Sequence, residues 1–120
     1  MKLYFYILDS DREYNPETRK LGDYIFKLRV EECEMIEMPK TYRPLTKILK
    51  KIYTGYVKKE DVGRISGHLT PYIALIEPNY QFAKEAFLKR YNDEICRLKN
   101  TIAMYEKKIT AVEAGEENCK

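Results

Sequence analysis

The apolar positions of this chain alternate in its first third and fall into heptads in its last. LYFYILD, residues 3–9, is rich in aromatic and β-branched residues and apolar on both alternating faces, which predicts a central or near-central strand. The polar, turn-rich stretch DSDREYNPETRKLGD that follows predicts a loop. In DYIFKLRVE, Tyr24, Phe26, Leu28 and Val30 face one way and Lys27 and Arg29 the other, the period of a half-buried antiparallel strand. That strand continues or bulges through CEMIEM until Pro39 interrupts it.

After Pro44, the spacing of Leu45, Ile48, Leu49 and Ile52 predicts a short helix over 44–53, although Gly55 and the neighbouring tyrosines also suit a bent hairpin. VKKEDVGRISGHLT reads as loop or sheet edge, with Gly63 and Gly67 as its flexible points. PYIALIEP is a short strand bounded by Pro71 and Pro78.

From Asn79, an expected N-cap, the pattern is helical until Gly115. Leu88, Tyr91, Ile95, Leu98, Ile102, Tyr105, Ile109 and Val112 are spaced 3, 4, 3, 4, 3, 4, 3, a stripe of period 3.5 with polar residues between. A helix of about 34 residues would be roughly 50 Å long, against a radius of gyration near 14 Å for a compact domain of this size. It must therefore project, fold back or pair. A break near Asn92 or Asn100 would give two helices; an unbroken one needs its partner from another subunit. The expected fold is α+β and oligomeric, one domain over 1–120: an antiparallel sheet region over 1–78, a long helix or helix pair over 79–114, and an acidic, frayed tail over 115–120.

With 44% hydrophobic and 34% charged residues, the composition is that of a soluble globular protein, and no apolar run approaches the roughly 20 residues of a membrane span. MKLYFYILDSD lacks the features of a signal peptide, so a cytoplasmic chain is expected. Cys33, Cys96 and Cys119 are odd in number and fit neither a disulfide framework nor a zinc spacing, which predicts reduced thiols.

The net charge of +3 is mild, but residues 40–64 carry Lys40, Arg43, Lys47, Lys50, Lys51, Lys58, Lys59 and Arg64 against Glu60 and Asp61, a local +6. This segment is either a solvated face or an anion site for a polyanion or a ligand's phosphates. His68 is the only histidine. Ser66 and His68, with Asp61 or Asp9 to orient the ring, would be the one nucleophilic arrangement open to the chain. GRISGH lacks the glycines and lysine of a phosphate loop, and GxGxxG is absent. We therefore expect a non-enzyme that needs no metal or cofactor.

Binding chemistry is concentrated in NYQFAKEAFLKRYNDEI, residues 79–95. Phe82 either packs the first helical turn or stacks on a base; Asn92, beside the stripe, is either a solvated amide or a bidentate reader of an adenine edge. A short antiparallel sheet followed by long C-terminal helices, with these two residues, resembles the phage anti-Thoeris sponge proteins. Those proteins assemble through their helices and sequester the cyclic ADP-ribose messenger of a bacterial immune system without cleaving it.

The resemblance implies that Phe82 stacks on adenine, that Asn92 reads it, and that the ligand is a small cyclic adenine nucleotide bound in the host cytoplasm by a homo-oligomer. Arg64 is a candidate for one phosphate-holding arginine. Lys107 and Lys108 stand in the helix where another arginine would be wanted, giving point charges in place of a planar fork. The rival expectation is a coiled-coil interaction protein whose basic segment binds nucleic acid or an acidic protein, and a third is a nucleotide hydrolase using His68.

Overall fold

The computed structural model describes residues 1–45, 55–67 and 70–118. The fold is α+β: a six-stranded antiparallel sheet followed by one long helix. The strands are β1 (Lys2–Asn15), β2 (Lys20–Glu37), β3 (Thr41–Pro44), β4 (Val57–Lys58), β5 (Ile65–Ser66) and β6 (Tyr72–Leu75), in the spatial order β4-β3-β2-β1-β6-β5. The helix, α1, is unbroken from Tyr80 to Asn118, past the expected stop at Gly115. The chain divides into two compact units, Met1–Ala86 and Phe87–Lys120.

β1 lies inside the sheet, as its two apolar faces predict, and its faces bury different partners. Leu3, Phe5 and Ile7 are fully buried, in one cluster with Cys33 and Met35 of β2, Tyr42, Val57, Tyr72 and Ala74. Register explains the grouping, because Leu3 pairs with Cys33 and Phe5 with Ala74, so their side chains share a face. On the other face Tyr6 and Ile73, also paired, are buried, and the Tyr6 ring meets that of Tyr80 at 6.2 Å. Ala83, one turn further along α1, is fully buried as well.

The stretch read as a loop is strand through Asn15. β1 and β2 pair from Lys2↔Glu34 out to Asn15↔Lys20, far beyond the reach of β6, which meets β1 only over Tyr4–Ile7. Polar residues sustain this outer ribbon because both its faces meet water, so its side chains need no apolar character to satisfy a backbone ladder. The turn is built by Asn15, whose side-chain oxygen accepts the Glu17 N–H at 2.9 Å while its carbonyl accepts the Arg19 N–H at 2.8 Å.

A second expectation is corrected at the same place. The face of Tyr24, Phe26, Leu28 and Val30 is half-buried only at Leu28: Tyr24 is 62% and Phe26 61% exposed, because nothing described lies over the ribbon there.

The short helix expected over 44–53 does not begin at Pro44, which belongs to β3 opposite Met35, and Leu45 donates its N–H to the Glu34 carbonyl at 3.0 Å. Residues 46–54 lie outside those described, as do His68 and Cys119. VKKEDVGRIS does form the edges, β4 and β5, joined through a 3₁₀ turn at Lys59–Asp61, and Gly63 (φ +82°) and Gly67 (φ +97°) take the left-handed backbone that glycine tolerates.

Candidate ligand-binding site

Phe82 is positioned by the start of α1. Asn79 is the N-cap the sequence predicts: its side-chain oxygen accepts the Phe82 N–H at 3.0 Å, and its carbonyl accepts the Ala83 N–H at 3.3 Å. With Ala83 turned into the core, Phe82 points elsewhere and remains 44% exposed. It lines a hollow of about 450 Å³ with Leu75, Ile76, Glu77, Pro78 and Asn79.

The ring lies against Gly63; a Cβ there would stand 3.9 Å from Phe82 Cζ. Gly63 is in turn tied to the sheet by its N–H bond to the Ala74 carbonyl at 2.9 Å. Arg64, exposed, is the next residue, and its N–H is held by the Asp61 carbonyl at 3.1 Å. The fold thus brings Phe82 and Arg64 into one neighbourhood from positions 18 apart in sequence. Among the described residues the one charged side chain lining the hollow is Glu77, which opposes a phosphate there.

Asn92, Lys107 and Lys108 belong to the second unit, and all are exposed. The Lys108 ammonium sits 5.2 Å above the ring of Tyr105, so part of its charge is already directed at a π face.

Described residues from the two ends of the basic segment line a second concavity. In β3 and β4, Tyr42 pairs with Val57 and both are buried, which sends Thr41, Arg43 and Lys58 to the opposite face by the two-residue period of a strand. There Arg43, Lys40, Lys58, Lys59, Tyr56 and Glu60 help line a hollow of about 680 Å³. Lys59 is committed: it bonds Glu37 at 2.9 Å and stands 5.3 Å over the Tyr42 ring, and this hydrogen bond and charge hold the Glu37 carboxyl below its ordinary range. Lys40, Arg43 and Lys58 form no ion pair among the described residues. The sequence shows the charge run; the alternation in TYRP, too short to read alone, is what gathers these cations with Tyr56.

The nucleophilic and acidic side chains stand in different surroundings. Burial, with Glu34 and Glu31 nearby, pushes the Cys33 thiol up from its usual range, the reverse of thiolate activation. Asp9 bonds Arg29 at 3.0 Å, and Arg29 also pairs with Glu31. Burial would lower the Arg29 pKa, but the hydrogen bonds it donates to Glu31 and Asp9, with their negative charges, outweigh it and raise it. Ser66 lies in β5 opposite Tyr72, and Cys96 is exposed on α1.

Among the described residues no cluster of His, Cys, Asp and Glu is placed to hold a metal ion, and no helix is long and apolar enough to cross a membrane. No protein family, no curated protein and no solved structure matches the chain.

Proposed function

We propose that this chain is a homo-oligomeric binding protein that takes up a cyclic ADP-ribose-type nucleotide and holds it uncleaved, a phage-type anti-defence sponge acting in the host cytoplasm. The observation that supports it is Phe82: a half-exposed ring, fixed by a capped helix start, beside Gly63 and Arg64. Its hollow of about 450 Å³ falls within the range of small-molecule sites, roughly 300–1,000 Å³. In this reading the adenine stacks on Phe82 and Arg64 offsets the phosphate charge, while Lys107 and Lys108, 25 and 26 residues further along the unbroken helix, lie too far from Phe82 to hold the same nucleotide.

The test incubates purified protein with cyclic ADP-ribose isomers, removes free ligand, denatures by heat and assays what is released. Intact nucleotide supports sequestration; altered nucleotide means an enzyme; no uptake overturns the reading. Phe82→Ala should weaken uptake about 5- to 150-fold, the range that corresponds to losing one base stack.

A second reading is favoured by the basic hollow, where Lys40, Arg43 and Lys58 share one face: a coiled-coil interaction protein binding nucleic acid or an acidic partner. Salt separates the two. A polyanion contact loses affinity steeply with ionic strength because each neutralised phosphate releases counterions, whereas a pocket for one small nucleotide loses little. Replacing Lys40, Arg43 and Lys58 together with Gln should abolish polyanion binding and leave nucleotide uptake at Phe82 intact.

A further inference from the structure

The stripe on α1 is a continuous run of apolar residues for which the described residues supply no cover. Leu88 is 52% exposed, Ile95 49%, Ile102 57% and Ile109 57%; between them Tyr91 is 39%, Leu98 47%, Tyr105 59% and Val112 67%. A half-exposed aromatic side chain offers roughly 100 Å² and an aliphatic one less. The stripe therefore offers several hundred Å² per chain, on the order of the roughly 800 Å² each partner contributes to a standard stable interface. Its self-complementary period makes a second copy the occupant.

Charge decides how the copies align. Taking Leu88, Ile95, Ile102 and Ile109 as the first apolar position of each heptad and Tyr91, Leu98, Tyr105 and Val112 as the fourth, the flanking positions are fixed by counting. On one flank lie Asn92, Lys99, Glu106 and Glu113; on the other Phe87, Glu94, Thr101 and Lys108.

In a parallel, in-register pair each residue of the second flank meets the first-flank residue five positions later in its partner. That joins Glu94 to Lys99 and Lys108 to Glu113, both attractive, and opposes no like charges. Aligned antiparallel over the same stripe, Lys99 meets its own counterpart and Glu113 meets Glu85, with Glu94 and Lys108 the one attraction. Isoleucine at three of the four first positions also suits a parallel two-stranded coil.

We propose that α1 pairs with α1 of a second copy as a parallel, in-register two-stranded coiled coil, so that both chains enter it from the same end. The proposal rests on the oligomeric part of the function proposed above and names its geometry. It also sets Asn92 of each chain at the first heptad of the coil; Phe87, which the heptad count places opposite, is 5% exposed and already buried within its own chain. Asn92 would then lie at a subunit boundary, where a single chain offers it only water.

Two measurements on the full chain without nucleotide test it. With Cys96 and Cys119 replaced by Ser, Val112→Cys should cross-link to itself under mild oxidation. Linkage found only when Val112→Cys and Leu88→Cys chains are mixed would show the antiparallel arrangement and overturn the proposal; so would a monomer by sedimentation at tens of micromolar. Lys99→Glu should weaken the dimer on the order of tenfold by setting it against Glu94, and adding Glu94→Lys should restore it. A Lys99→Glu dimer no weaker than the parent, the antiparallel outcome in which position 99 still meets its own like-charged counterpart, overturns the proposal. Nucleotide uptake is scored separately, so a parallel dimer that takes up none sinks the sponge alone, and uptake by a non-parallel assembly sinks the alignment alone.

Discussion

The β1–β2 hairpin is two different objects along its length. At its base, Leu3, Phe5 and Ile7 pair against Cys33, Glu31 and Arg29, and the first three side chains are fully buried. Toward its tip, Ser10 pairs with Phe26 and Arg12 with Tyr24, in the same antiparallel register, and both aromatics are more than half exposed. Backbone geometry and alternation are common to the two. What differs is the apolar company on the face: at the base Tyr42, Val57, Tyr72 and Ala74 cluster with Leu3, Phe5 and Ile7, and beyond Ile7 β6 has ended. Alternation assigns side chains to faces; it does not say which faces are covered.

Substitution of matched aromatics breaks the comparison most directly. Phe5→Ala should cost about 3–5 kcal/mol, the loss from a large buried ring and the cavity it leaves. Phe26→Ala, 61% exposed, should stay within about 0.5 kcal/mol. Both are read by denaturant unfolding at low protein concentration. Comparable losses would mean that the ribbon face is covered after all.

The next effect belongs to the tip alone. Between Arg12↔Tyr24 and Tyr14↔Leu21 the register shifts, with Gly22 and Asp23 opposite Glu13. A Cβ on Gly22 would lie 2.8 Å from that of Glu13, closer than real Cβ contacts come. Arg12 holds this bulge, its Nε donating to the Gly22 carbonyl at 3.2 Å and its guanidinium 5.0 Å over the Tyr24 ring. Gly22→Ala should therefore cost about 1–3 kcal/mol as an overpacked contact. Hydrogen exchange should quicken for amides of Ser10–Phe26 and not for those of Leu3–Ile7. Uniform acceleration would show that tip and base unfold as one.

What the chain disclosed of itself follows the same division. The central strand, the Asn79 cap and a long helix were legible because each is decided by local chemistry: apolar character on two faces, a side-chain acceptor, a sustained helical period. The ribbon was not, because DSDREYN has turn-forming composition and only pairing with a distant strand makes it extended. At the candidate site, Phe82 could be picked from sequence, but its neighbour Gly63 could not, since β6 brings them together. The charge of 40–64 was visible; the grouping of Lys40, Arg43 and Lys58 around Tyr56 needed the β3–β4 register.

The smallest effect tests how the base is closed where β2 ends. Glu37 and Lys59 join β2 to the 3₁₀ turn through a 2.9 Å contact at an exposed site. The hydrogen bond from Lys59 and its charge lower the Glu37 pKa in the folded chain relative to the unfolded one. A carboxyl lowered on folding adds stability above its unfolded pKa and loses it as pH falls through the folded value, since the unfolded state takes up the proton first. The stability difference between the parent and Glu37→Gln should accordingly be present at neutral pH and shrink on acidification below the ordinary carboxylate range. It should also shrink at high salt, because the pair is open to solvent. Arg12 at the tip donates to a backbone carbonyl, which does not titrate, so Arg12→Met should lower stability by an amount that acid leaves unchanged. If the Glu37→Gln difference were flat with pH while the Arg12→Met difference collapsed, charge pairing would be holding the tip and not the base.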